Sequence, residues 1–135
     1  MAATDELYFP QHEFNGKYWR KRGLWLKHDP SKQIGNWATP QLVIHSEQDY
    51  RIPISDGLAA YQVLISKRVK SQFLSFPDEN HWVLKPENSL YWHTVVLNWI
   101  NKHVGLPPYG IANPIRPVCD EVTRPAKTFV NFNSS

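Results

Sequence analysis

Asp49 and His81 are the two residues whose types, order and surroundings suit acid–base chemistry. Asp49 follows the apolar stretch Gln41–His45, and His81 follows a second apolar stretch, Ser71–Phe76, 32 positions after Asp49. An imidazole titrates near neutral pH and can take the proton of a serine nucleophile, while a carboxylate fixes its tautomer and stabilises the imidazolium. The pair therefore suits the acid and the base of a Ser-Asp-His triad.

The serine of such a triad has no counterpart in this sequence. The motif Gly-x-Ser-x-Gly, which presents a serine on a sharp turn between a strand and a helix, does not occur in the 135 residues. The order acid and then histidine, each after a late strand, agrees with the order in α/β-hydrolases, where the serine comes first. We therefore expect the chain to be inactive in isolation.

Other assignments of the acid and the base stay open on spacing alone. Asp49 can be a turn former and His81 a loop residue held by a local hydrogen bond, because any strand–helix–strand unit can carry such residues in its loops. Asp56, Asp78 and Glu79 are the alternative acids. Asp56 suits the first turn of a helix better. Asp78 and Glu79 lie too close to His81 in sequence, although Glu79 can support the site.

The remaining histidines are weaker candidates for chemistry. His45 lies inside a predicted strand and is expected in the core, and His93 lies on an apolar helix face, where we expect a hydrogen bond within the core. His103 suits the carboxyl end of that helix, while His12 and His28 are loop residues with no partner in view. No metal-ligand spacing links these residues. The single cysteine excludes an internal disulfide and a cysteine-based zinc site.

Two predicted strands bring the two loops together. Gln41–His45 is short, apolar at consecutive positions and β-branched at its centre, which predicts a strand buried on both faces of a parallel sheet. Ser71–Phe76 predicts a second strand. Because the carboxyl ends of parallel strands meet at one edge of a sheet, Asp49 and His81 are expected to lie side by side.

Two helices are predicted to cover these strands. Ser55–Lys67 has an apolar face, and Ser55 is expected to cap its first turn. Residues from Pro86 to His103 form the longest periodic segment, with a wide apolar stripe that we expect to pack onto the sheet. The stripe contains Leu90, His93, Leu97, Ile100 and Val104, widened by Trp92, Val96 and Trp99.

The predicted domain organisation has three parts. Residues 1–38 interleave aromatic residues with Gly, Pro and charge, which predicts an irregular connecting segment with room for a short helix. Residues 39–105 form the strand–helix–strand–helix part, and residues 106–135 form a Pro-rich extended tail. Because two strands cannot bury both faces, we expect earlier strands to precede residue 1. The predicted fold class is α/β, a C-terminal fragment of an α/β-hydrolase without its nucleophile elbow and earlier strands.

Charge and hydropathy argue against nucleic-acid and membrane partners. The formal net charge is +3, and the dense basic residues are confined to one short cluster made of Lys17, Arg20, Lys21 and Arg22. A cluster without a binding motif is more typical of a solvated loop than of a nucleic-acid surface. No apolar run approaches the roughly 18 residues of a transmembrane helix, and the first residues do not resemble a secretory signal.

Two stretches of the sequence resemble the prolyl oligopeptidase family of serine peptidases. Residues 36–57, NWATPQLVIHSEQDYRIPISDG, resemble the penultimate-strand region of that family, and residues 76–89, FPDENHWVLKPENS, resemble its histidine loop. Glu6–Pro10 and Trp25–Pro30 are also similar, and the resemblance is nearest to the fungal secreted dipeptidyl peptidase V group. It covers roughly residues 5–108 and does not extend to the tail.

The resemblance implies a fold, an activity and roles for two residues. By motif match, Asp49 is the triad acid and His81 the general base of an enzyme that releases amino-terminal dipeptides through an acyl-enzyme. The family implies a β-propeller followed by an α/β-hydrolase domain, secretion, peptide substrates and no metal or organic cofactor. By the same resemblance, these 135 residues are not expected to include the propeller, the earlier strands, the nucleophile elbow or the oxyanion-hole donors. The alternative is a truncated, non-catalytic chain that acts as an interaction module.

Overall fold

The computed structural model describes residues 4–110 and the backbone of Phe129–Val130. Its centre is a strand–helix–strand–helix unit, preceded by three short helices. The elements in chain order are α1 (Tyr8–Glu13), α2 (Arg22–Lys27), the 3-10 helix η1 (Pro30–Asn36), β1 (Gln41–Ser46), α3 (Ile54–Ser66), β2 (Ser71–Phe76), α4 (Pro86–Val104) and β3 (Phe129–Val130). The predicted α/β class is confirmed, and the four predicted elements form within one or two residues of their expected ends.

The sheet joins β1 and β2 in parallel. Gln41 lies opposite Ser71 and Ser46 opposite Phe76, so both strands end at the same edge. β3 pairs antiparallel with the other side of β2, which gives the strand order β1-β2-β3. Within the described residues, the outer edge of β1 therefore has no strand beside it.

The core includes α3 and residues on both faces of β2. Tyr61 and Leu64 of α3 are buried, as are Phe73, Leu74 and Phe76 of β2, of which Leu74 and Phe76 point to the opposite face of the strand from Phe73. The rings of Tyr61 and Phe73 lie 5.5 Å apart, a distance at which tilted aromatic rings attract each other. This packing fixes α3 on the sheet and thereby fixes the loops at both of its ends.

Two details of this unit differ from the prediction. β1 is half-buried from Gln41 to His45, and only Ser46 is buried. A strand with a neighbour on one side alone is shielded less than a central strand, which explains the difference. Ser55 was expected to cap α3, but it lies inside the first turn, where Pro53 precedes the helix and no side chain caps it. Asp56 occupies the first turn as predicted.

The apolar stripe of α4 does not pack onto the sheet as predicted. Leu90, Ile100 and Val104 are 59%, 47% and 62% exposed, and His93 is exposed as well. Other stripe residues, including Trp92, Leu97 and Trp99, are half-buried, and so are all six consecutive positions of Thr94–Trp99, so partial burial is not confined to one face of α4. Helical periodicity identifies apolar positions but not the element that covers them.

The first segment is more regular than predicted. Residues 4–38 contain α1, α2 and η1, each of six or seven residues. An aromatic cluster holds them, because the Trp25 indole N–H donates to the Gly16 carbonyl at 3.1 Å and its ring lies 4.8 Å from that of Phe14. Of the predicted tail, the structure describes 106–110 and the two residues of β3, so the three-part organisation stays a prediction.

The basic cluster lies on the surface at the start of α2. All four of its residues are exposed, and the Lys17 ammonium lies 5.4 Å from the ring centre of Trp19. Among the helices that the structure describes, none combines the length and the apolar character needed to cross a membrane.

Candidate active site

Asp49 and His81 meet at the carboxyl edge of the sheet. Asp49 lies in the loop after β1, and His81 lies in the loop after β2. The Oδ2 atom of Asp49 is 2.9 Å from Nδ1 of His81, a short charge-assisted hydrogen bond. The Asp49 side chain is 9% exposed, whereas that of His81 is 32% exposed. The histidine therefore stands between a buried acid and the open side of the site.

The Asp49 carboxylate accepts hydrogen bonds from its own loop and from His81. Its Oδ1 atom accepts the backbone N–H groups of Arg51 at 3.0 Å and Ile52 at 2.9 Å. Burial favours the neutral acid and would raise the pKa of Asp49, but the hydrogen bonds from Ile52, His81 and Arg51 outweigh it and lower that pKa. The carboxylate is therefore ionised at neutral pH.

The sign of this pKa shift gives the pH range in which Asp49 stabilises its loop. A folded-state pKa below the ordinary value of about 3.9 means that folding favours the ionised form. That stabilisation is fully present at pH values above the ordinary pKa. It is lost as the pH falls through the lowered value, where the carboxylate gains its proton.

Backbone hydrogen bonds join the loop after β1 to the loop after β2. We call residues 47–53 the acid loop and residues 77–85 the histidine loop. The N–H of Glu47 donates to the carbonyl of Phe76 at 2.9 Å, and the N–H of Gln48 donates to that of Glu79 at 3.1 Å. The Gln48 side-chain amide adds a bond to the carbonyl of Pro77 at 3.3 Å. The pairing of β1 and β2 thus continues past the ends of the strands into both loops.

The amino-terminal residues hold the acid loop from the opposite side. The N–H of Asp5 donates to the carbonyl of Tyr50 at 2.8 Å. The Arg51 guanidinium binds the Glu6 carboxylate at 2.7 Å, with both side chains about two-fifths exposed. An ion pair at this exposure adds little stability, but together with the backbone bond it places residues 5 and 6 beside the site.

Glu79 is a buried carboxylate that closes the histidine loop. It is 4% exposed and accepts the backbone N–H groups of Leu84 and Lys85, each at 3.1 Å. Its Oε1 atom also accepts from the side-chain amide of Asn88 at 2.7 Å. Three donors around one carboxylate bend residues 79–85 into a compact loop, which turns His81 toward Asp49.

Replacing Glu79 by glutamine is expected to lower the free energy of unfolding by about 1–3 kcal/mol, because one buried oxygen becomes an NH2 group that faces other donors. Chemical denaturation of the 135-residue chain measures this change. Glu87→Gln is the matched control, since Glu87 is exposed in the first turn of α4, and its expected effect is within about 0.5 kcal/mol. Equal effects of the two substitutions would contradict the role of Glu79 in closing the histidine loop.

The alternative acids have other partners. Asp78 binds the Lys85 ammonium at 2.6 Å and the Asn88 amide at 3.1 Å. The hydrogen bond from Lys85 is the main cause that lowers the pKa of Asp78, and partial burial opposes it. Asp56 lies in the first turn of α3. Of the candidate acids, Asp49 is the one that the structure places against His81.

The other histidines lie outside the contact between Asp49 and His81. His93 was expected to hydrogen-bond within the core, but it is exposed and its Nδ1 lies 2.7 Å from the carbonyl of Ser89, one turn earlier in α4. His103 makes the same kind of contact with Trp99 in the last turn. His45 was predicted in the core, and its side chain is indeed only 10% exposed.

Asn88 is a supporting residue that the sequence did not reveal. It is 2% exposed and donates to both Asp78 and Glu79, so it ties the first turn of α4 to the histidine loop. An asparagine two residues after the first proline of a helix has no pattern that distinguishes it from an exposed polar residue. Its partners are acidic residues nine and ten positions earlier, which local periodicity does not connect.

Comparison with known proteins adds independent information. The sequence profile of the prolyl oligopeptidase family matches residues 1–107. The chain is 48% identical over 133 residues to the probable dipeptidyl-peptidase 5 of Aspergillus terreus and 47% identical over 134 residues to the dipeptidyl-peptidase 5 of Aspergillus fumigatus. These matches cover 97% and 98% of the chain but 18% of either relative. They extend into the Pro-rich tail, so the expectation that the resemblance stops near residue 108 was wrong.

Proposed function

Because the chain belongs to the prolyl oligopeptidase family, we propose that it supplies the acid, Asp49, and the general base, His81, of a serine-peptidase triad. The observation that carries the proposal is the 2.9 Å contact between Asp49 Oδ2 and His81 Nδ1. An ionised carboxylate only accepts hydrogen bonds, so the imidazole proton lies on Nδ1. The Nε2 atom then keeps a lone pair for the hydroxyl of a serine.

The proposed reaction passes through an acyl-enzyme. Nε2 of His81 takes the serine proton as the oxygen attacks the peptide carbonyl, and Asp49 stabilises the imidazolium. His81 then gives the proton to the leaving amine. In the second half of the reaction, His81 takes a proton from water as the water attacks the acyl carbonyl, and returns that proton to the serine as the acyl group leaves. The names of the relatives support release of amino-terminal dipeptides as the reaction of the whole protein. Secretion and independence from metals and organic cofactors belong to the same proposal.

The serine is proposed to lie in hydrolase segments outside these 135 residues, together with a propeller that selects peptides. The uncovered surface of the chain supports such a partner. The outer edge of β1 has no neighbour among the described residues, and Leu90, Ile100 and Val104 of α4 are exposed. A cleft of about 370 Å³ lies between the start of β1 and the last turns of α4. Apolar surface of this kind is typical of an interface.

The same surface favours a second candidate, a non-catalytic chain that acts as an interaction module. An open strand edge can pair with another protein whether or not any reaction follows. The two candidates differ in one respect, because only the first requires Asp49 and His81 to serve a serine.

A chimera tests the proposal. The A. terreus relative is produced with this chain in place of the segment that it matches. We expect the chimera to be labelled by a fluorophosphonate, which reacts with activated serines, and to hydrolyse a dipeptidyl nitroanilide. The measurements are the labelled fraction and kcat/KM, with the unaltered relative as the reference.

The control is the relative that lacks the segment, which is expected to be neither labelled nor active. A chimera that melts cooperatively like its parent, yet remains unlabelled and inactive, would contradict the catalytic proposal. In that outcome the chain docks without providing a working acid and base, as the interaction-module candidate requires.

A further inference from the structure

His45 crosses the base of the acid loop. Its side chain is 10% exposed, and its Nε2 atom lies 2.7 Å from the carbonyl oxygen of Ile52. A carbonyl only accepts hydrogen bonds, so this nitrogen carries the proton and donates it. The imidazole therefore joins the end of β1 to the far end of the loop that carries Asp49.

Ile52 transmits this contact to the acid. Its carbonyl accepts from His45, while its N–H donates to Oδ1 of Asp49 at 2.9 Å. His45 Nε2 is also 3.8 Å from Asp49 Oδ2, which is too long for a direct hydrogen bond. His45 thus acts on the carboxylate through the backbone of Ile52.

Gly57 fixes the position of the imidazole from behind. It lies in α3 and is buried, and a Cβ atom at this position would stand 2.6 Å from Nδ1 of His45. Real Cβ atoms do not approach a neighbour so closely, so the ring and an alanine cannot share this space. The ring is held between the helix backbone and the acid loop, with little freedom to shift.

We propose that His45 is a positioning residue. It donates to the carbonyl of Ile52 and so holds Asp49 in the position where Oδ2 meets Nδ1 of His81. The inference rests on the proposed roles of Asp49 and His81 in peptide hydrolysis. It assigns a task to a histidine that lies outside the contact between Asp49 and His81. It also explains why a glycine occupies a helical position where other residues form helices more readily.

Two substitutions at His45 separate the hydrogen bond from the shape of the ring. In the chimera, His45→Phe keeps a ring but removes the donor, and we expect kcat per labelled serine to fall about 10- to 100-fold, as for small misplacements of catalytic groups. KM is expected to stay within about 2-fold. His45→Gln places an amide N–H at similar reach, and we expect it to recover most of the lost kcat.

Wild-type turnover in His45→Phe would overturn the inference, and so would a Gln variant as slow as the Phe variant.

Gly57→Ala provides a second test, because the added methyl displaces the ring without altering it. The expected loss in kcat is again about 10-fold or more. Gly23→Ala is its control, since a Cβ there meets no atom within 4 Å. Unchanged kcat in Gly57→Ala would contradict the proposed restraint.

A spectroscopic measurement does not depend on turnover. The His81 Nδ1 proton, held by Asp49, is expected to give a downfield proton resonance both in the unaltered 135-residue chain and in its His45→Gln variant. We expect exchange with water to remove this resonance in His45→Phe. Its persistence there would overturn the inference, whereas its absence from the unaltered chain would contradict the proposed function instead.

Discussion

His81→Ala in the chimera is expected to lower kcat by about 10⁶-fold, the loss typical when the histidine of a serine-peptidase triad is removed. Without the imidazole, nothing takes the proton of the serine as it attacks, and the hydroxyl is a poor nucleophile. KM is expected to change little, because the imidazole acts on the reacting atoms. Steady-state hydrolysis, with kcat calculated per mole of folded chimera, measures both quantities.

His93→Ala is the matched control for this substitution. His93 is an exposed histidine of α4 whose contact is with the carbonyl of Ser89 in its own helix. We expect its kcat to remain within about 2-fold of the unaltered chimera, as for surface substitutions away from the site. Substantial turnover in His81→Ala, above the residual rate of the oxyanion hole alone, would refute the role of His81 as the base.

Asp49→Asn is expected to lower kcat by about 10⁴-fold, because it imposes the wrong tautomer on His81. The structure gives the reason. Oδ1 of Asp49 accepts two backbone N–H groups, so the amide oxygen of an asparagine must occupy that position. The NH2 group then faces Nδ1 of His81, which becomes an acceptor. Its proton moves to Nε2, where the lone pair is needed for the serine.

The kinetic measurement for Asp49→Asn is kcat per mole of folded chimera, with Asp56→Asn as the control. Asp56 lies in the first turn of α3, and the same chemical change there is expected to leave kcat within a few-fold. A nearly normal rate in Asp49→Asn would show that another group orients His81. Asp78 and Glu79 would then return as candidates for the acid.

Much of the central unit was predictable because its signals are local. Gln41–His45 and Ser71–Phe76 are short apolar runs bounded by turns, and both form strands. Pro86 and Gly105 mark the two ends of α4, with Gly105 in the left-handed conformation that favours glycine. The contact between Asp49 and His81 was predictable from parallel pairing. The two strands have equal length and end at the same edge of the sheet, so the loops after them begin side by side.

What the sequence could not provide depends on contacts between distant residues. The exposure of Leu90, Ile100 and Val104 depends on which element covers α4, and periodicity does not name that element. The hydrogen bond from His45 to Ile52, by which we propose that His45 positions Asp49, requires the carbonyl of Ile52 to turn back toward β1. No rule of sequence spacing predicts such a turn. The short helices of residues 4–38 depend on the packing around Trp25 rather than on a repeating pattern.

The backbone bonds that join the loops after β1 and β2 have a consequence for evolution of the activity. Because the N–H groups of Glu47 and Gln48 donate to the carbonyls of Phe76 and Glu79, we expect a substitution that tilts this edge of the sheet to displace Asp49 and His81 together and to leave their separation unchanged. The hydrogen bond between Asp49 and His81 is thereby protected from small changes in the surrounding scaffold. In the proposed triad, such substitutions therefore change the distance from the His81 imidazole to the serine, and selection for activity acts on that distance.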